Sequence, residues 1–222
     1  MGWRDRLSLT RTRLRNRALR YANHGWEVTP GARLDRGRFE CGRPGCPTTG
    51  CHPALEHWEQ AASNDATQIA AWWRRHPHAV LLATGHGFDV LEVPAHLGLW
   101  VLGAARLHAR LAGPGNSQVR GPVAVTPNGR WMFLVRPGGP LRPEFDGSLD
   151  VVRHGRGSWI PAPPTVLPEG PVRWVVAPEE TRWQLPDSYV VQGMLINARN
   201  TSPRHLTTSR LPRPLPRLNR AT

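Results

Sequence analysis

Three cysteines and a histidine crowd one short segment, "FECGRPGCPTTGCHP", which holds Cys41, Cys46, Cys51 and His52. Three thiolates and an imidazole are the donors of a tetrahedral zinc shell. The surrounding Gly and Pro leave the segment little apolar material with which to hold itself. Its Cys-x4-Cys-x4-Cys-His spacing is looser than that of common zinc fingers. Cys51 and His52 are chain neighbours and sit awkwardly on one ion, so one of the two is expected to stand aside. The reading is a structural zinc knuckle with no open catalytic position; the competing reading is three free thiols in a loop. A second stretch with chemistry in view is "FDVLEVPAH", an apolar run that reaches one carboxylate, Glu92, and two residues later meets Pro94. Side chains two apart on a strand share a face, so Glu92 and Pro94 lie together and Asp89 points the other way.

The elements that position these residues follow from periodicity and turn chemistry. A helix is expected from about Leu7 to His24, with Leu14, Ala18, Tyr21 and Ala22 on its apolar face and Gly25 as a stop. "GWEVTP" reads as a short strand before the Cys-rich loop of residues 31–53. "NDATQIAAWWRRHP" reads as a helix capped by Asn64 or Asp65, with Ile69, Trp72 and Trp73 inward and Pro77 at its end. "AVLLAT" and "FDVLEV" are strands. "LGLWVLGAARLHARL" is a helix with Leu97, Trp100, Val101, Ala104, Leu107, His108 and Leu111 at helical spacing. "PVAVT" and "WMFLV" flank Asn128-Gly129, a two-residue hairpin signal. "SLDVV" and "SWIPAP" flank "RHGRG" as a second hairpin, and "VRWVV" is a last strand. The fold class is α+β with a largely antiparallel sheet.

The 222 residues suit one domain with basic extensions, and the formal net charge is +13 from 29 basic and 16 acidic residues. Every basic residue is Arg, whose planar fork grips phosphates bidentately. Arg11, Arg13, Arg15 and Arg17 crowd the start, and Arg204, Arg210 and Arg213 punctuate an acid-free tail. Basic segments of this kind favour a polyanionic partner, DNA or RNA; the plainer reading is that they only aid solubility. The expected division is a basic arm and helix start at residues 1–17, a domain at 18–198 and a disordered Arg/Pro-rich tail at 199–222. No run of about 18 apolar residues is present, so no membrane span is expected, and without a signal segment a cytoplasmic location is the default.

Taken in order, "ALRYANHGWEVTP", "GCHP", "NDATQIAAWWRRHPHAVLLATG", "FDVLEV", "TPNGRWMF" and "SLDVVRHGRGSWIPAPPT" resemble the N-terminal domain of bifunctional DNA primase/polymerases, or prim-pol, of the archaeo-eukaryotic primase superfamily. The resemblance implies an RRM-like antiparallel sheet packed by helices. It also implies nucleotidyl transfer by an Asp-x-Asp pair, a later His and a further Asp, the acids holding two Mg²⁺ or Mn²⁺ ions. On this chain the pair falls on Glu92 and Pro94, the His on Trp131 and the last acid on Asp150. Only Glu92 and Asp150 keep an acid, so they are relic positions. His96 could join them around a single ion, though a place at the start of the following helix is the simpler role. His86 reads as a turn histidine.

Three functions are in view. The first is a catalytically inactive prim-pol-like domain that binds nucleic acid or nucleotides, with Trp131, Trp159 and Trp174 as stacking candidates. The second is an active primase-polymerase with an altered metal site, and the third a non-catalytic interaction scaffold. A replication-associated role is implied by the resemblance alone.

Overall fold

The structure is a computed structural model describing residues 3–111 and 120–201, with side chains placed over 8–107 and 120–201. The chain opens with α1 (Trp3–Ala22), β1 (Val28–Gly31) and the ribbon β2 (Arg33–Asp35) and β3 (Arg38–Glu40). Next come α2 (Trp58–Ala61), α3 (Ala66–Trp72), β4 (Ala79–Ala83), β5 (Asp89–Pro94) and α4 (Ala95–Leu111). The second half contains β6 (Val123–Val125), β7 (Arg130–Val135), β8 (Val152–His154), β9 (Trp159–Pro161), the short pair β10 (Val166–Leu167) and β11 (Gly170–Pro171), β12 (Arg173–Val176) and α5 (Ser188–Thr201).

Two antiparallel sheets carry the fold. The smaller has the order β1-β4-β9, and the larger β12-β6-β7-β5-β8. In the larger one, β5, α4 and β6 form a split β-α-β unit with β7 between the two parallel strands and β8 outside β5. That is the RRM-like order expected. Its helical face buries Leu91, Val93, Val123, Trp131, Phe133 and Val135 against Leu97 and Val101 of α4 and Val191 and Leu195 of α5. The opposite face sets Val90, Ala124, Met132 and Leu134 against Tyr21, Trp26, Trp73 and Leu82 of the N-terminal half. Alternation along β5 thus builds two cores on one strand.

One expected pairing changes. Residues 152–161 are not a hairpin: β8 pairs with β5, while β9 crosses to pair with β4 in the other sheet. The pleat explains the split, because Val152 to His154 continue the edge beside β5 whereas Ile160 belongs to the smaller sheet's core. The crossing lies against the β4–β5 turn. Thr84 N–H donates to the Ser158 carbonyl at 3.0 Å, and its hydroxyl donates to Gly155 O at 2.6 Å. Gly85, at φ +98°, is required there, since a Cβ would come within 2.3 Å of the Arg156 backbone.

Residues 3–17 form the first part of α1, and residues 199–201 the last turn of α5. Arg199 donates to the Glu144 carbonyl at 2.9 Å and lies over the Phe145 ring. The tail expected to be disordered, with Arg204, Arg210 and Arg213, lies outside the described residues from 202 onward. Within α4, Leu107 is exposed, and the packed stripe runs through Leu97, Val101 and Ala105 instead. Among the described residues no helix is long and apolar enough to cross a membrane.

Candidate functional site

Glu92 stands at the end of β5 on the face away from α4 and α5, half-buried, and both of its carboxylate oxygens are occupied. Arg130 Nε donates to Oε1 at 2.7 Å, and His154 Nε2 lies 2.8 Å from Oε2. His154 Nδ1 is 2.9 Å from the Ser158 hydroxyl. With Nε2–H directed at the carboxylate, Nδ1 accepts from Ser158, which fixes the tautomer. Burial pushes the Glu92 carboxyl up, but the bonds from His154 and Arg130 outweigh it and hold the group below its ordinary value.

The strand register explains why these three meet. Pro94 pairs with Arg130 and Glu92 with Met132 on β7, so Arg130 and Met132 share the face of Glu92. On the other side Val90 pairs with His154, placing that ring diagonally beside Glu92. Neither partner was singled out in the sequence. Arg130 directly follows the Asn128-Gly129 turn, so the hairpin register was the signal that could have found it; His154 was hidden by the mistaken hairpin.

The same register corrects the place given to Trp131. It pairs with Val93 and is buried on the helical face. Its ring is so close to α4 that a Cβ on Gly98 would lie 2.5 Å from it. Trp131 therefore neither faces Glu92 nor offers a stacking surface. Trp174 packs on the Tyr21 and Trp26 core, and its indole N–H donates to the Tyr21 hydroxyl at 3.0 Å. Trp159 is half-buried.

Asp150 precedes β8 and is exposed; its carbonyl, rather than its carboxylate, accepts from Arg130 Nη2 at 3.2 Å. His96 is exposed in the first turn of α4, and His86 bonds Glu27 at 2.8 Å on a turn. Asp89 faces the other way, as alternation requires. It is fully buried, with Arg153 Nη2 at 2.7 Å and Gly138 N–H at 3.0 Å on the same oxygen. Glu92, Asp150 and His96 do not form a group. Among the described residues the one set of three or more potential metal ligands in mutual reach is Cys41, Cys46 and His52, whose ligand atoms lie within 4.8 Å of one another.

That second cluster could hold a metal ion. Cys46 Sγ is 3.5 Å from His52 Nε2, and His52 Nδ1 lies 2.7 Å from the Gly50 carbonyl. A bond from Nδ1–H to that carbonyl leaves the Nε2 lone pair facing the thiols, the usual outer-shell arrangement of a ligating histidine. Arg43 adds Nε at 3.5 Å from Cys41 Sγ and Nη2 at 3.7 Å from Cys46 Sγ. His52 is anchored at the base of the loop, where its carbonyl accepts from Ala32 N–H at 2.8 Å. Cys51 is the residue of the expected four that falls outside the group. Its side chain turns inward, where burial pushes the thiol up to about 12.

The N-terminal arginines divide. Arg17 and Arg20 both bind Glu179, at 3.3 and 2.9 Å, and so tie α1 to the turn after β12. Arg17 is thereby committed to the fold. Arg11 and Arg15 are half-buried, with no partner for Arg15 Nε, and Arg13 is exposed beside a groove that also touches Leu34 and Pro77.

Residues 18–188 match the family model described as bifunctional DNA primase/polymerase, N-terminal. Neither a curated protein nor a solved structure matches the chain.

Proposed function

The chain belongs to the bifunctional DNA primase/polymerase N-terminal domain family, and from that premise we propose that this member is a catalytically inactive prim-pol domain that binds nucleic acid. The carrying observation is the state of Glu92. A cation held by Glu92 would sit beside the positive Arg130 guanidinium, on a carboxylate already bonded at both oxygens. Here a guanidinium and an imidazole take one oxygen each, and Pro94 contributes no second carboxylate on that face. Two-metal transfer needs acids that bring both ions close together. That the Arg130 guanidinium stands where the resemblance would put a metal ion supports this reading. Net charge +13 and the exposed Arg13 support a polyanionic partner, with phosphate contacts supplying affinity. A cytoplasmic, replication-associated binder is the setting that fits this reading.

The test is primer extension with Mg²⁺ and with Mn²⁺, run beside gel shifts on single-stranded DNA, duplex DNA and RNA over a salt series. The expected outcome is no extension above background and binding that weakens steeply with salt. Extension that disappears in Glu92→Ala would overturn the proposal and establish an active enzyme with an altered metal site. Absence of binding to any of the three nucleic acids would favour the interaction scaffold.

The loop carries a further part of the proposal: a structural zinc ion on Cys41, Cys46 and His52, which ties the turn after β3 to the base of the loop. Soft thiolates with an imidazole select zinc over harder ions. Elemental analysis of protein purified without chelator is expected to give about one zinc per chain. Cys51→Ser should keep it and Cys46→Ser should lose it. A metal-free wild type, or equal loss in both variants, would refute the assignment.

A further inference from the structure

On the helical face of the large sheet, away from Glu92, lies a cavity of about 130 Å³. Its walls include Val101 and Ala105 from α4, Phe133 from β7 and Val191 from α5. The cavity is of mixed character, with Thr181 and Glu180 beside these apolar walls, and it opens in part to solvent. Two guanidinium groups, Arg106 and Arg120, also line it, and both residues are exposed, which places them at its mouth.

The charge at that mouth is not balanced. Among the described residues no carboxylate lies within ion-pair distance of Arg106 or Arg120. Glu180 is the one acid on the lining, and its Oε1 accepts from the Ala177 N–H at 2.8 Å. Residues 112–119, which join α4 to Arg120, contain no acid. Apolar walls beside two unpaired cations select a ligand with a matching division of its own.

We propose that this cavity binds a small amphipathic carboxylate, with a ring-sized apolar body among Val101, Ala105, Phe133 and Val191 and the carboxylate between Arg106 and Arg120. The size sets the class, because an apolar cavity of roughly 150 Å³ accommodates a benzene ring, whereas a nucleotide is far too large. The guanidinium fork sets the head group, since it pairs with a carboxylate bidentately. The site stands on the opposite face of the sheet from Glu92 and is independent of whether that face binds nucleic acid.

The probes are benzoate, benzyl alcohol and acetate, titrated into the full chain by calorimetry and by thermal melting. Benzoate should bind and raise the Tm. Benzyl alcohol should bind roughly tenfold more weakly or worse, the loss expected when a charge-assisted bond is removed. Acetate, with a head and no body, should not bind measurably. The surface double variant Arg106→Ala/Arg120→Ala should fold normally and bind benzoate no better than benzyl alcohol. Ala105→Phe, which fills the chamber, should abolish benzoate binding. Failure of wild type to bind benzoate, equal affinity for benzoate and benzyl alcohol, or undiminished benzoate binding by the double variant would each overturn the proposal.

Discussion

Glu92 carries one bond from a guanidinium and one from an imidazole. Its carboxyl is held below its ordinary value of 4.5 because the charged form is bonded twice. The sign follows from linkage. A carboxyl with a depressed folded value stabilises the fold above the unfolded value, and that stabilisation is lost as pH falls through the folded one. Glu92→Gln keeps the shape and removes the charge. Urea unfolding is expected to show wild type losing more stability than the variant between about pH 6 and about pH 3. At neutral pH the variant should be less stable by about 1–3 kcal/mol, because Arg130 is then a half-buried cation without a counter-charge and His154 loses a charged acceptor. Parallel pH profiles for the two proteins would show that the bonds carry no net stabilisation.

At the scale of elements, β7 decides what position 131 can do, the position that the resemblance gives to the family's histidine. Position 131 faces α4, so the identity of its side chain bears on packing before it bears on any nucleotide. Trp131→His is expected to cost about 3 kcal/mol or more, by emptying volume beside Gly98 and burying an imidazole. It should not produce primer extension, and denaturant unfolding with an extension assay on the same sample checks both. Most elements were legible in the sequence for simple reasons. Asp65 caps α3, with Gln68 N–H at 2.7 Å from its carboxylate, and Asn128-Gly129 turns β6 into β7. Glu92 was legible as a strand-end acid, but its partners were not, because contact across strands depends on register. α5 went unread: Val190, Val191 and Gly193 weaken its helical signal, and only the contact of Val191, Leu195 and Ala198 with the α4 side of the sheet shows why it forms. The β8–β9 crossing was missed because two short strands flanking Gly-rich residues satisfy a hairpin pattern locally, while their true partners, β5 and β4, lie far back in the chain.

For the whole molecule, charge is distributed unequally between what holds the fold and what is left for a partner. Arg17, Arg20, Arg130 and Arg153 are spent on Glu179, Glu92 and Asp89. Residues 202–222 carry Arg204, Arg210, Arg213, Arg217 and Arg220 and no acid. Truncation after Thr201, which leaves α5 whole, should preserve cooperative unfolding. It should weaken DNA binding and flatten the dependence of log K on log salt by up to about 0.9 for each lost phosphate contact. An unchanged salt slope would place the whole electrostatic interface within residues 1–201.

The bonds around Glu92 also bear on how such a domain can change over generations. On the proposed reading, an acid that serves as the counter-ion of an arginine is kept for that bond, whatever its first use. An acid at Pro94 alone would add a second carboxylate on that face but leave the Arg130 guanidinium beside it. A metal site would on that reading need Arg130 to change as well as Pro94. The bonds then act as a ratchet, in which residues that depend on one another hold a site in its role.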